Sequence, residues 1–201
     1  MARSKHKHPS SNPAPFKQPT LDSTRPLPRG AKCTRCRAQA EIHLPSHHAN
    51  FCPQCFLHFV RTAVTRALKE VRFAPHPVMV AVSGGKDSLA VWDLLHHLGY
   101  ETKGLHLNLG IPEFSPASTQ AVAEFAAARD LPWSEYRLTD IFGYSIPEVH
   151  QLLRGKTCAL CGRLKRAFFN RMTADEGFHT LVTGHNLDDE AGRLLGNLVG
   201  R

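Results

Sequence analysis

Residues 78–88 read VMVAVSGGKDS: a short apolar, β-branched run, then a glycine turn, then the start of a helical pattern. The apolar run predicts a buried strand over 78–82, and the apolar spacing after it predicts a helix over 87–98 that stops at Gly99. A glycine-rich turn between a buried strand and a helix is where α/β sheets bind anions. This stretch therefore indicates an α/β fold.

The alternation of strand and helix continues to the end of the chain. Strands are predicted over 102–109, 133–138 and 180–183, and helices over 118–129, 146–153, 161–176 and 188–199. Such alternation requires right-handed crossovers, which give a parallel, doubly wound sheet with helices on both faces. We expect this α/β domain to span 75–201 and to be incomplete at its C-terminus, because a further element normally covers the open face.

Composition limits the class of protein. Of 201 residues, 42% are hydrophobic and 21% charged, as is usual for a globular protein. No run approaches the ~18 apolar residues of a membrane span, and the basic N-terminal residues lack the apolar core of a secretory signal. Lys and Arg number 25 against 17 acids, a net charge of 25 − 17 = +8 that is compatible with a polyanionic partner.

Two segments precede the predicted sheet. Residues 1–30 hold six prolines and few large apolar residues, which predicts a disordered basic arm, either a solvated tail or a transient RNA contact. Residues 31–74 contain two Cys pairs and a predicted helix over 56–71. Pro75-His76-Pro77 then breaks the chain, and we place the domain boundary there.

The glycine turn has the chemistry of a phosphate loop. It comprises Ser83, Gly84, Gly85, Lys86, Asp87 and Ser88. Its glycines let the backbone approach phosphate oxygens, the lysine adds a positive charge, and the serines add hydroxyl donors. The aspartate would repel phosphate unless Mg²⁺ lies between them, so it indicates a metal. The alternative is a glycine-rich turn with a helix cap.

A second motif, GHNLDDEA over residues 184–191, follows the predicted fourth strand. Asp188, Asp189 and Glu190 crowd three carboxylates into a first helical turn. An acidic N-terminal cap explains them by itself. Their place at the carboxyl end of a strand, like that of the glycine turn, favours a joint site that holds Mg²⁺ or the attacking group.

All six cysteines form Cys-x-x-Cys pairs, and the first two pairs predict a zinc finger. Cys33, Cys36, Cys52 and Cys55 can supply four thiolates to one tetrahedral ion. A unit of about 23 residues has little core, so the metal supplies folding free energy on the order of 10 kcal/mol. Four nearby histidines are alternative ligands, surface residues or RNA contacts: His43, His47, His48 and His58.

The third pair, Cys158 and Cys161, has no partner pair. Three interpretations fit it: a redox dithiol, half of a metal site, or two buried thiols. Its cationic neighbours are Arg154, Lys156, Arg163, Lys165 and Arg166. These charges, together with a helix N-terminus, favour the thiolate form. Thiolates there are suited to carrying sulfur as a persulfide or to holding iron.

The SGGKDS loop resembles the PP-loop of the ATP pyrophosphatase superfamily. With the Cys₄ finger, the central Cys pair and the GHN-x-DD motif in this order, residues 31–201 resemble the tRNA 2-thiouridine synthetases (tRNA uridine 2-sulfurtransferases) of the two-zinc-finger group, relatives of the 2-thiocytidine enzyme. The resemblance implies that ATP and Mg²⁺ bind the loop, that the C2 oxygen of a uridine in tRNA is adenylated, and that sulfur then displaces AMP.

The resemblance also implies roles for single residues. Ala81, His106 and Gly184 would lie against the nucleotide, and Asp189 would be catalytic. Lys165 would be the active-site lysine. Cys158 and Cys161 would be two of three ligands of a [4Fe–4S] cluster. The family's third cluster cysteine and its second zinc finger lie downstream, so we expect this chain to be C-terminally truncated or to have lost that ligand.

The expected partners and the alternatives follow from the same resemblance. It implies a cytoplasmic enzyme with tRNA as substrate and a ubiquitin-like thiocarboxylate carrier as sulfur donor. It implies no membrane partner, and both a monomer and a homodimer are compatible with it. A superfamily enzyme that ligates a small molecule or thiolates cytidine is one alternative. A non-catalytic zinc- and RNA-binding remnant is the other.

Overall fold

The computed structural model describes residues 27–73, 76–153 and 157–199, without the side chains of residues 153, 157–159 and 197. The chain divides into two compact units, Met1–Ala63 and Val64–Arg201. The predicted basic arm lies almost wholly outside the described residues. The predicted segmentation into arm, finger and nucleotide-binding domain stays a prediction.

The first unit contains a small hairpin and the beginning of a long helix. Strands β1 (Ile42–Leu44) and β2 (Ala49–Phe51) pair antiparallel, joined by a 3₁₀ turn at Pro45–His47, and helix α1 (Pro53–Glu70) follows. The four buried residues of its apolar cluster are Cys33, Ala49, Phe51 and Cys52. Two of these four are cysteines, so the unit has little apolar core without its sulfur atoms.

The second unit is built on a four-stranded parallel sheet. Its strands are β3 (Val78–Ala81), β4 (Thr102–Asn108), β5 (Trp133–Arg137) and β6 (Leu181–Thr183), in the order β5-β4-β3-β6. The chain runs outward from β3 to β4 and β5, then returns to pair β6 on the other side of β3. The strand order therefore reverses at β3, and the carboxyl ends of β3 and β6 lie side by side at the point where such sheets bind ligands.

Six helices accompany these strands: α2 (Lys86–His97), α3 (Phe114–Ala127), α4 (Leu138–Phe142), α5 (Ile146–Leu153), α6 (Thr157–Asp175) and α7 (Leu187–Val199). Helix α3 begins four residues before the predicted start. Pro116 is the third residue of this helix. Proline is tolerated there because the N–H groups of the first helical turn have no hydrogen-bond partner within the helix. Helix α6 also begins four residues early, and the short α4 was not predicted.

Apolar clusters cover both faces of the sheet. Alternate residues of β3 point to opposite faces, so Val78 and Val80 pack in one cluster with Trp92 of α2, and Met79 packs in the other with Phe168 of α6. Both clusters are buried, which confirms the predicted parallel α/β sheet with helices on both faces. Among the described residues, no helix is both long and apolar enough to cross a membrane.

Candidate functional site

The first unit brings its four cysteine sulfurs together. The sulfurs of Cys33, Cys36, Cys52 and Cys55 all lie within 4.8 Å of one another, and those of Cys36 and Cys52 are 3.6 Å apart. Tetrahedral zinc, with Zn–S bonds of about 2.3 Å, separates its sulfurs by roughly 3.8 Å. The donor set therefore fits a metal ion of this kind.

The predicted histidine alternatives do not join this group among the described residues. His43 Nδ1 lies 2.8 Å from the Asn50 side-chain oxygen, and His47 Nδ1 lies 3.0 Å from the Ser46 hydroxyl. The His47 ring also packs edge-on against Phe59. The side chains of His43 and His47 therefore have other partners. Among the described residues, the group of side chains that could hold a metal ion consists of the four cysteines alone.

The four thiols are electrostatically unequal. The backbone N–H of Cys36 donates to the Cys33 sulfur and, against the opposing effect of burial, lowers the pKa of Cys33 to about 6. A hydrogen bond with the Cys36 side chain raises the pKa of Cys55 to about 12. Backbone donors thus stabilise a thiolate at Cys33, and a thiolate is the form that binds metal.

The glycine turn after β3 is held in shape by hydrogen bonds within the protein. Gly84 has φ +76°, and a Cβ there would lie 2.6 Å from the backbone oxygen of Ser118. The Ser88 hydroxyl donates to the Gly85 carbonyl at 2.9 Å and accepts from the Ser83 N–H at 3.1 Å. The turn is therefore closed by Ser88 and can take only glycine at position 84.

The charged pair of the turn is exposed. Lys86 Nζ lies 2.7 Å from Asp87 Oδ1, and the two side chains are 87% and 56% exposed. An ion pair in this setting contributes little to stability, so both groups are free to exchange partners with an anion or a cation. Helix α2 begins at Lys86, and its first N–H groups face the turn with the positive end of the helix dipole.

A cavity of about 700 Å³ opens at the carboxyl ends of β3 and β6. Eight residues predicted for the site line it: Ala81, Ser83, Gly85, Asp87, Ser88, His106, Lys165 and Gly184. Among the described side chains, four predicted residues are not part of its wall: Gly84, Lys86, Cys161 and Asp189. The side chain of Cys158 lies outside the described residues.

Helix α6 contributes one face to this wall. Gly162, Lys165, Arg166 and Phe169 recur at helical spacing and all line the cavity, and buried Phe168 packs the helix onto the sheet. The half-exposed Cys161 immediately precedes Gly162. The structure thus brings the cationic stretch of the third Cys pair to the same cavity as the glycine turn.

The turn after β6 packs directly on helix α2. A Cβ on Gly184 would lie 2.7 Å from the Cα of Ser88. Asn186 and Asp189 then exchange hydrogen bonds, each backbone N–H donating at 3.0 Å to the other's side-chain oxygen. This reciprocal cap begins α7, so the helix-capping interpretation of the acidic motif has a structural basis. A catalytic role for Asp189 stays a prediction.

Sequence patterns did not predict several cavity residues on other elements. They include Phe114, Ser118, His185 and Arg193. Phe114 and Ser118 belong to α3 and carry no phosphate or metal motif. Only the packing of α3 against the glycine turn, where the Ser118 hydroxyl donates to the Ser83 carbonyl, places them there.

A partly buried polar chain lies behind the cavity wall at His106. Its Nδ1 is 2.8 Å from the Val82 carbonyl oxygen, and its Nε2 is 3.2 Å from the Thr119 hydroxyl. That hydroxyl donates to Glu135 at 2.9 Å, and the Asn108 amide donates to the same carboxylate at 3.0 Å. Burial raises the pKa of Glu135, but these hydrogen bonds and the charge of Arg137 outweigh burial and leave it below its usual range.

Comparison with known proteins gives matches to both units. The family model "2-thiouridine synthetase TtuA, N-terminal LIM domain" matches residues 32–57. The tRNA-5-methyluridine(54) 2-sulfurtransferase of Thermus thermophilus is 40% identical over 169 residues, which cover 83% of this chain and 53% of that protein. The cytoplasmic tRNA 2-thiolation protein 1 of Aspergillus niger is 30% identical over 178 residues, 83% of this chain and 52% of that protein.

A solved structure supports the same resemblance. The U34-tRNA thiolase NcsA from Methanococcus maripaludis, described with its [4Fe–4S] cluster, superposes with a TM-score of 0.73 at 25% identity, covering 85% of this chain and 58% of that one. The chain spans about half the length of the curated relatives it matches. Through its first unit and its α/β unit, the chain is similar to the tRNA 2-sulfurtransferases, which confirms the family resemblance that its motifs predict.

Proposed function

We propose that this chain carries the zinc-binding and nucleotide-binding part of an ATP-dependent tRNA sulfurtransferase that makes 2-thiouridine. The observation that carries the proposal is the single cavity lined by both the glycine turn and the Lys165 face of α6. Nucleotide activation and sulfur transfer need one common space, because the adenylated oxygen is the atom that sulfur replaces. The names of the relatives support tRNA as the substrate.

The first step is adenylation of the uridine C2 oxygen. This oxygen attacks the α-phosphorus of ATP, the α–β bridging bond breaks, and pyrophosphate leaves. Backbone N–H groups of the glycine turn and the start of α2 suit the departing polyphosphate, because preorganised donors stabilise developing negative charge. Asp87, which lines the cavity, is the residue suited to Mg²⁺.

The second step replaces oxygen with sulfur. A sulfide nucleophile attacks C2 of the adenylated uridine, and the C2–O bond breaks with AMP as the leaving group. Lys165 lies on the cavity wall, where its ammonium suits either the incoming anionic sulfur or the departing phosphate.

The third Cys pair would supply two of the three cysteine ligands of an iron–sulfur cluster. Cys161 is half-exposed beside a cavity residue and follows Cys158 by three positions in α6, and thiolates are the usual ligands of such clusters. When bound, a cluster supplies iron to which sulfide can attach. A structural zinc ion in the Cys₄ group, a thiocarboxylate carrier as sulfur source, a homodimer and a cytoplasmic location complete the proposal, by analogy with the family resemblance.

The test incubates the full-length protein anaerobically with iron, sulfide, ATP, Mg²⁺ and unmodified tRNA, and measures AMP release and 2-thiouridine by nucleoside mass spectrometry. We expect equimolar AMP and 2-thiouridine. Mass gain on cytidine would instead support the 2-thiocytidine alternative. Failure to bind ATP at all in equilibrium dialysis would contradict the proposal and favour a non-catalytic zinc- and RNA-binding protein.

A further inference from the structure

The polar chain behind the nucleotide cavity crosses three elements. His106 and Asn108 belong to β4, Thr119 to α3 and Glu135 to β5. Of these, only His106 lines the cavity, and only 2% of its surface is exposed. Thr119 contacts the imidazole ring directly, and Asn108 and Glu135 both contact the Thr119 hydroxyl.

The hydrogen-bond directions in this chain are constrained. The Val82 carbonyl can only accept, so His106 Nδ1, 2.8 Å away, is a donor. The Thr119 hydroxyl has one proton, and its 2.9 Å contact with Glu135 Oε1 uses it. His106 Nε2, 3.2 Å from the same hydroxyl oxygen, is left to donate as well.

We infer that both ring nitrogens of His106 carry a proton, so that Glu135, acting through Thr119, fixes a buried imidazolium in the wall of the nucleotide cavity. Glu135 and Thr119 are thus positioning residues for a charge that the sequence motifs do not show. The part of this inference that concerns nucleotide binding rests on the proposed function; the state of the ring does not.

An alternative distribution of protons uses the same atoms. A protonated Glu135 would donate to Thr119, and Thr119 would donate to a neutral His106. The Asn108 amide argues against it, because its N–H donates to the same Oε1 at 3.0 Å, and an oxygen that already accepts one bond is a poor site for the acidic proton. The Gly110 N–H donates to Asn108 Oδ1 at 3.0 Å, which fixes the amide orientation.

The electrostatics of Glu135 agree with this assignment. The pKa of the carboxyl lies below its usual range although burial raises it, because Asn108 and Thr119 donate to it and because Arg137 carries charge nearby. An ionised Glu135 balances one positive charge on His106. A charge pair at a buried ring holds only when its hydrogen bonds are complete, and among the described residues no buried side-chain nitrogen or oxygen atom lacks a partner.

The test reads the ring directly. Protein labelled with ¹⁵N-histidine is studied at pH 7.5 by long-range ¹H–¹⁵N correlation, with His106→Asn used to assign the signals. We expect the imidazolium pattern in the wild type and in Thr119→Ser, which keeps the hydroxyl. Glu135→Gln and Thr119→Val should give a neutral ring protonated at Nδ1. Glu124→Gln, the same change at an exposed carboxylate of α3, should leave the pattern unchanged.

A neutral ring in the wild type, or an unchanged pattern in Glu135→Gln, would overturn the inference. The second readout is the dissociation constant for ATP, which we expect to rise about tenfold in Glu135→Gln and Thr119→Val and less than about twofold in the controls. Unchanged ATP affinity in these two variants would overturn the link to the nucleotide. If the wild type binds no ATP, the proposed function fails, while the spectra still decide the state of the ring.

Discussion

The backbone of Ser88 occupies the space that a side chain at Gly184 would need: a Cβ there would lie 2.7 Å from both the Cα and the amide nitrogen of Ser88. The two residues are far apart in sequence, one in the first turn of α2 and the other after β6. This contact joins the two motifs at the edge of one cavity.

Replacing Gly184 with alanine therefore tests whether that edge matters for nucleotide binding. No positive φ is involved at this position, so the cost is steric: we expect about 1–3 kcal/mol of destabilisation and about tenfold weaker ATP binding. Thermal melting and equilibrium dialysis measure the two effects. Gly192→Ala is the matched control, since a Cβ there meets nothing within 4 Å. Equal behaviour of the two variants would contradict the prediction.

Removing one sulfur from the Cys₄ group should release its metal. We expect Cys36→Ser to lower the zinc content from about one ion per chain to a small fraction of that, and to expose the first unit to proteases, since a structural zinc contributes on the order of 10 kcal/mol to folding. Elemental analysis and limited proteolysis are the measurements. Cys161→Ser should keep full zinc content; loss of zinc in that variant would show that the metal is not confined to the four-cysteine group.

Lys165 should matter for chemistry more than for nucleotide affinity. Because Lys165 lines the cavity at the α6 wall, Lys165→Ala should lower 2-thiouridine formation by about a hundredfold or more while changing ATP affinity by less than about threefold. Single-turnover thiolation and equilibrium dialysis separate the two effects. Lys69→Ala removes an exposed lysine from the end of α1 and should leave both unchanged.

Asp189 can be tested without losing its role as a cap. Asp189→Asn keeps a side-chain oxygen to accept the Asn186 N–H, so the melting temperature should stay within about 2 °C of the wild type. If the carboxylate is catalytic, thiolation should fall by about a hundredfold. Asp188→Asn, in the same exposed turn, is the control. Wild-type thiolation by Asp189→Asn would assign that residue to capping alone.

Glu148 should give the fold a measurable acid dependence. Hydrogen bonds from the Ser145 hydroxyl and backbone N–H, both 2.6 Å long, lower the pKa of Glu148 below its ordinary value of 4.5. A lowered pKa means that the carboxylate stabilises the fold above pH 4.5 and that this contribution disappears as the pH falls through the lower, folded value.

The difference in melting temperature between wild type and Glu148→Gln should therefore be largest near pH 7 and shrink below pH 4.5. Thermal melts across this range measure it, with the exposed Glu124→Gln as a control whose difference should stay flat. A difference that grows on acidification would contradict the assigned sign.

Local patterns were enough to predict much of the fold. The strand patterns placed the four strands of the parallel sheet within about one residue of their observed bounds. The reason is clearest at β3, because a buried strand depends mainly on its own consecutive apolar residues. The Cys₄ group was equally predictable, since two Cys pairs carry the ligand chemistry themselves. The start of α3 was missed because Pro116 suggests a break, whereas the first turn of a helix accepts it.

The sequence by itself determined the α/β class, the zinc-type cysteine group and the phosphate-type turn, because each depends on residues close together in the chain. Only the tertiary structure decided that Gly184 meets Ser88, that Lys165 and the glycine turn line one cavity, and that Glu135 reaches His106 through Thr119. These contacts join residues on different strands and helices, so they exist only once the crossovers have set the strand order and the helices have packed on the sheet.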